Sequence, residues 1–163
     1  MNFESMNIQK KLVMFATAAG ILAMFLPWVH ISAFGMDVGQ NYNGLRGSGI
    51  FIFVCFMGCI YFCLTGDYKG PFSLSEWFYL QILSVLIIFF TLLEYYFKGS
   101  LNKQNPFGLT ETRSGAGFWM ALLSGIGIML FLWLYKPREY TIKAGFKFAK
   151  RKLGLIFEGE KKD

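Results

Sequence analysis

Three cysteines stand at Cys55, Cys59 and Cys63, each four residues after the last. On a helix that spacing puts the thiols on one face. Soft sulfur ligands in such a row could hold a soft metal ion. A working site usually adds a histidine or an acid from another element, and the single histidine, His30, lies in a different stretch. Packing as small apolar side chains is therefore the favoured reading, and neither a metal nor another cofactor is expected. Four ionisable residues form a second set. Glu94 falls near the end of an apolar run, and an acid in that setting is by default a candidate functional group. His30 ends an earlier run at a comparable point, and Arg46 and Arg113 each open a following one. We expect His30, Arg46, Glu94 and Arg113 to gather at one end of the molecule, with Asp37 and Glu111 nearby. Two roles fit: a vestibule for an ion or ligand, or ion pairs that fasten loops. The fastening role is favoured.

Catalytic sets are missing. The sequence has no Gly-rich phosphate loop with a lysine, no His-Glu-x-x-His and no nucleophile elbow. A serine nucleophile would have to rely on His30 with nothing to orient it. The expectation is a protein that is not an enzyme.

The elements that must position these residues are apolar blocks. Of the 163 residues, 55% are hydrophobic and only 16% are charged, against roughly 25% charged in a soluble domain. Residues 12–29, 49–64 and 115–135 carry no charge, and residues 77–97 carry only Glu94. Roughly 20 apolar residues cross a bilayer as a helix, and helices satisfy their own backbone there. The blocks predict an all-α membrane protein, a four-transmembrane-helix bundle with spans at about 12–29, 48–65, 77–97 and 115–135. The first span is expected to be retained rather than cleaved, because no small-residue cleavage site follows it.

A unit occurs twice. Phe25-Leu26-Pro27-Trp28 leads through a polar loop to Arg46-Gly47-Ser48-Gly49 and an apolar run. Glu94-Tyr95-Tyr96-Phe97 leads through another to Arg113-Ser114-Gly115-Ala116-Gly117 and a second run. The bundle then reads as two related helical hairpins. Span four carries Gly117, Ala121 and Gly125 at four-residue spacing, and span one carries Ala16 and Gly20. Small residues so spaced let helices approach closely, either within one bundle or between copies. Ser73 or Ser75 is placed to cap span three.

Charge sets the orientation. With residue 1 inside, Lys10, Lys11, Lys69 and nine basic residues after Tyr135 lie on the cytoplasmic side, and four of the sixteen lie outside. Basic residues concentrate on the cytoplasmic side, so both termini are expected there. Residues 1–135 then form the membrane domain and 136–163 a cytoplasmic tail. In the tail Ile142, Phe146, Ala149, Leu153 and Ile156 repeat at helical spacing, with Lys143, Lys147, Lys150, Arg151 and Lys152 around the rest. That pattern reads as a basic amphipathic helix on anionic lipid, or else as a solvated positive tail. Nucleic-acid binding is the poorer account of this charge.

Leu26-Pro27-Trp28-Val29, the loop after it and Gly47-Ser48-Gly49 resemble a widespread group of small bacterial four-span proteins. Gly115-Ala116-Gly117-Phe118-Trp119 fits the same pattern. The resemblance covers the spans and not the tail. It implies a home in the bacterial inner membrane and supplies no active residues. The functional expectation is a non-enzymatic membrane component that oligomerises or docks a partner, such as the membrane subunit of a defence or immunity system. The alternative is an oligomeric ion channel or small transporter.

Overall fold

A computed structural model describes residues 6–33, 36–45, 47, 49–65, 69–103 and 110–136. Among these residues there are four helices: α1 Ile8–Phe25, α2 Gly49–Leu64, α3 Leu74–Lys103 and α4 Ala116–Leu134. Three of them, α1, the Leu74–Phe97 part of α3, and α4, are long and apolar enough to cross a membrane. The fourth, α2, is apolar but only 16 residues long. Helix α1 packs on α2 and α4, and α3 packs on the same two. The helix pattern predicted for the apolar blocks is therefore observed. The sequence reading also treated both longer connections as plain loops, and there the structure differs.

Those connections form a three-stranded antiparallel sheet. Its strands are β1 Pro27–Ala33, β2 Met36–Asn43 and β3 Thr110–Ser114, in the order β2-β1-β3. Strand β1 is central, so the sheet ties the α1–α2 connection to the α3–α4 connection. All-α thus describes the helices alone. Among the described residues the two connections are also unequal, one giving two strands and the other one.

The span boundaries move for local reasons. The first span was expected to run to residue 29, yet α1 ends at Phe25. A proline disfavours helix in the residue before it, and Leu26 is extended at φ −75°, ψ 159°. Pro27 then sits at the first position of β1, where a missing N–H is tolerated. At its other end α1 starts at Ile8, four residues early, because the Asn7 side chain accepts a hydrogen bond from Gln9 N at 2.9 Å. Of the two candidate caps for α3, Ser73 is used. Ser73 N donates to Glu76 Oε2 at 2.9 Å and Glu76 N donates to Ser73 Oγ at 3.4 Å, a reciprocal capping box.

The core lies between the four helices. Val13, Met24, Ile52, Phe56, Leu80, Ile87, Ile128 and Leu132 are wholly buried in it. Four buried or part-buried hydroxyls bond back to their own helices: Thr17 to Val13 O, Ser84 to Gln81 O, Thr91 to Ile87 O and Ser124 to Met120 O, at 2.7–2.9 Å. Each polar group is thereby satisfied without a partner from another helix.

Candidate functional site at the sheet end

One end of the bundle carries the sheet, the C-terminal turn of α1, the start of α4 and the Glu94 end of the α3 buried face. Trp28 is its centre. The β1–β2 register slips between Pro27 and Val29, and such a bulge re-aims a side chain. Trp28 turns into the bundle, 1% exposed. Its indole Nε1 donates to Ala23 O at 2.8 Å, and its ring meets Phe118 edge-on at 6.0 Å between centroids. Gly44 N donates to Met24 O at 2.9 Å, and Gly115 N donates to Trp28 O at 2.8 Å. The last carbonyls of a helix lack intrahelical partners. Here two of them, Ala23 O and Met24 O, are satisfied by the indole and by the loop before α2.

Glycine is required around this ring. A Cβ on Gly117 would fall 2.6 Å from Trp28 Cδ1 and 2.7 Å from Ala23 O, and one on Gly44 would strike the indole nitrogen. The two Gly-rich steps therefore serve different ends. Gly47 supplies a left-handed turn at φ 67°, a conformation that glycine adopts freely. Gly115 and Gly117 supply close approach between α4 and the end of α1.

The four ionisable residues are placed as follows. His30 and Arg113 are Cα partners across β1 and β3. His30 is half-buried, and a Cβ on Gly115 would lie 3.2 Å from its Nε2. Arg113 is exposed. Glu94 is 9% exposed, whereas Tyr95, Tyr96 and Phe97 beside it are all exposed. Its carboxylate turns to the protein, with Oε1 3.7 Å from a Cβ built on Gly47. Arg46 lies outside the described residues, as do Lys143, Lys147, Lys150, Arg151 and Lys152 of the tail. The structure thus puts His30 with Arg113 on the sheet, and Glu94 against the turn that follows Arg46.

The small residues pack within this one chain. Ala16 faces Gly127 at 3.7 Å from its Cβ position, Gly20 lies against the Phe56 ring, and Ala121 is wholly buried. A Cβ on Gly125 would fall 2.8 Å from Ile87 Cγ2 of α3. Cys55, Cys59 and Cys63 all face the core and are free thiols. Among the described residues no three His, Cys, Asp or Glu side chains gather as a metal site.

Sequence reasoning missed Trp28 as the hub, although Pro27-Trp28 had stood out as the end of a run. Its dependence on Gly44 and Gly117 joins positions far apart in the chain, and spacing alone does not reveal that. The arrangement sets a buried tryptophan beneath the sheet, with His30, Arg113 and Glu94 around it. Comparisons with protein-family models, curated proteins and solved structures return no match.

Proposed function

We propose that this chain is a non-enzymatic, four-span component of a bacterial inner membrane that oligomerises or docks a partner through its sheet. The observation that carries the reading is the sheet order. With β1 central, β2 and β3 each have one side without a strand among the described residues. An open strand edge is a template for pairing with another chain. Trp28 and the α1 carbonyls hold that template rigidly on the bundle end, so little order is lost on docking. Twelve of the sixteen basic residues, nine of them after Tyr135 in the sequence, support an orientation with the sheet outside and both termini in the cytoplasm. The resemblance to small bacterial four-span proteins supports the compartment. A membrane subunit of a defence or immunity system is one setting for such a docking unit.

In this reading His30, Arg113 and Glu94 fasten the sheet to the bundle. Glu94 is held against the turn before α2, and His30 and Arg113 join the two connections. The test is copy number in nanodiscs by native mass spectrometry. Residues 38–40 of β2 have no Cα partner on β1, so Gln40→Pro blunts the free edge and spares the β1–β2 ladder. Wild type should be multimeric and Gln40→Pro monomeric at unchanged melting temperature. A monomeric wild type, or a Gln40→Pro protein that keeps its copies, contradicts docking through this edge. Currents from wild-type protein in planar bilayers would instead favour the channel.

A further inference from the structure

Exposed aromatic rings lie in two layers on the faces of the helices. At the sheet end Tyr95 of α3 and Trp119 of α4 are exposed. Both rings meet Phe118, at 5.5 and 5.3 Å between centroids, so the two helices carry them at one level. At the other end Tyr79 of α3 and Trp133 of α4 are exposed. Trp133 meets the Trp77 ring at 6.4 Å, and Tyr79 stacks on Phe62 of α2 at 5.8 Å. Trp77 Nε1 donates to Leu132 O at 2.9 Å. These contacts tie the ends of α2, α3 and α4 into a second level. Lys136 adds a charge there, its ammonium 4.1 Å from the centre of the Trp133 ring. Between the layers every exposed residue of α3 and α4 is apolar: Ile82, Val85, Phe89, Leu92, Leu123 and Leu130.

A Trp or Tyr ring at a membrane surface keeps its body in hydrocarbon and its polar tip among the headgroups. The two layers therefore mark the slab of hydrocarbon that the helices fit. Trp119 and Trp133 are fourteen residues apart and Tyr79 and Tyr95 sixteen, which at helical rise separates the layers by about 21–24 Å. Helix α2 agrees, because its 16 residues rise about 24 Å. In α1 the charge-free stretch from Leu12 to Phe25 rises about 20 Å. The longer α3 does not relax this, since its ends beyond the layers carry Glu76 and Lys98. An ordinary bilayer has a hydrocarbon core about 30 Å thick, and any tilt shortens the reach of a helix along the membrane normal. We propose that the helix faces fit a thin bilayer, one of short-chain phospholipids, and that a thicker bilayer thins around the protein. A bilayer that stayed thick would pull one aromatic layer under, at a cost that grows with each ångström of mismatch. This fit rests on the reading of the chain as membrane-spanning and is independent of docking through the sheet.

The test uses the full chain in phosphatidylcholine vesicles whose acyl chains lengthen from dimyristoleoyl through dipalmitoleoyl and dioleoyl to dierucoyl. Flotation reads insertion, and the thermal unfolding midpoint reads the fit. The midpoint should be highest with dimyristoleoyl or dipalmitoleoyl chains and lower by about 5 °C or more with dierucoyl chains. Tyr95→Leu with Trp119→Leu removes the layer at the sheet end and lets hydrocarbon reach further along α3 and α4. The best chain length should then shift to longer lipids. Trp133→Leu makes the same change at the other end, should the double variant fail to fold. A wild-type midpoint highest in dioleoyl or longer chains would overturn the fit. So would a midpoint that ignores chain length, the mark of helix faces covered by protein rather than lipid. A folded variant with an unmoved optimum would remove the aromatic layers as its cause and overturn it too. A chain that floats with none of the vesicles would overturn the membrane reading beneath it, a result distinct from the others.

Discussion

Trp28 meets three segments at once: the end of α1 through Ala23 O, the loop before α2 through Gly44, and α4 through Phe118 and Gly117. Truncation to Ala opens a large cavity and strips the hydrogen bond from a helix carbonyl. Trp28→Ala should cost about 3–5 kcal/mol, read as a fall in the unfolding midpoint in mild detergent. Trp28→Phe keeps most of the volume and loses the indole donor, so it should cost about 1–3 kcal/mol, the penalty of one orphaned carbonyl. Equal stability of Trp28→Phe and wild type would remove the hydrogen bond from the account. Glu94 offers a second check. It is buried against the turn at Gly47 while its sequence neighbours are exposed. Under the fastening role, Glu94→Gln should lower stability by about 1.5–3 kcal/mol, the worth of hydrogen bonds to a charged group, and leave bilayer conductance unaltered. A folded Glu94→Gln protein with new ion selectivity would move the residue into a pathway.

Among the elements, the helices were readable because lipid leaves few alternatives: a charge-free run of the right length must be a helix. Their ends were less readable. Pro27 stops α1 before Trp28, and the apolar character of Trp28-Val29 hid this, since both residues are buried in a strand rather than in the helix. The sheet was not legible. Strand β2, Met36-Asp37-Val38-Gly39-Gln40-Asn41-Tyr42-Asn43, is mostly polar with a glycine inside it. Strand β3 is five residues long and pairs with a strand about eighty positions earlier. Such pairing depends on the bundle bringing the connections together, not on local preference. The small-residue stripe stands out in the sequence, and its neighbours within the chain come from the structure. Gly117, Ala121 and Gly125 lie on the buried side of α4, whereas Leu123 is 66% exposed. Ala121→Leu should therefore destabilise by about 1–3 kcal/mol through overpacking, and Leu123→Ala by well under 1 kcal/mol, as surface changes usually do. Equal effects would mean that α4 is rotated from the orientation described.

At the scale of the whole molecule, a four-helix bundle, three of its helices long and apolar enough to cross a membrane, carries at one end a sheet whose outer edges meet no further strand among the described residues. Of this, the helices and their apolar faces could be read from composition and charge spacing. The placement of Glu94 and of His30 with Arg113 needed the fold, because a strand pairing and a helix face together create it. The orientation adds a further expectation: a cytoplasm-dependent fluorescent reporter fused after Asp163 should glow, and one placed at Asn43 should stay dark, since twelve of the sixteen basic residues then lie inside.

The central claim is that the free edge of β2 meets another copy outside the membrane. It is tested most directly by one cysteine at Gln40→Cys, with Cys55, Cys59 and Cys63 replaced by Ala, in intact cells treated with a membrane-impermeant thiol cross-linker. The account predicts a cross-linked dimer from this protein and none from a matched Lys136→Cys control at the opposite end. Cross-linking at residue 136 but not at residue 40, or accessible monomers at residue 40 with no dimer, would contradict it.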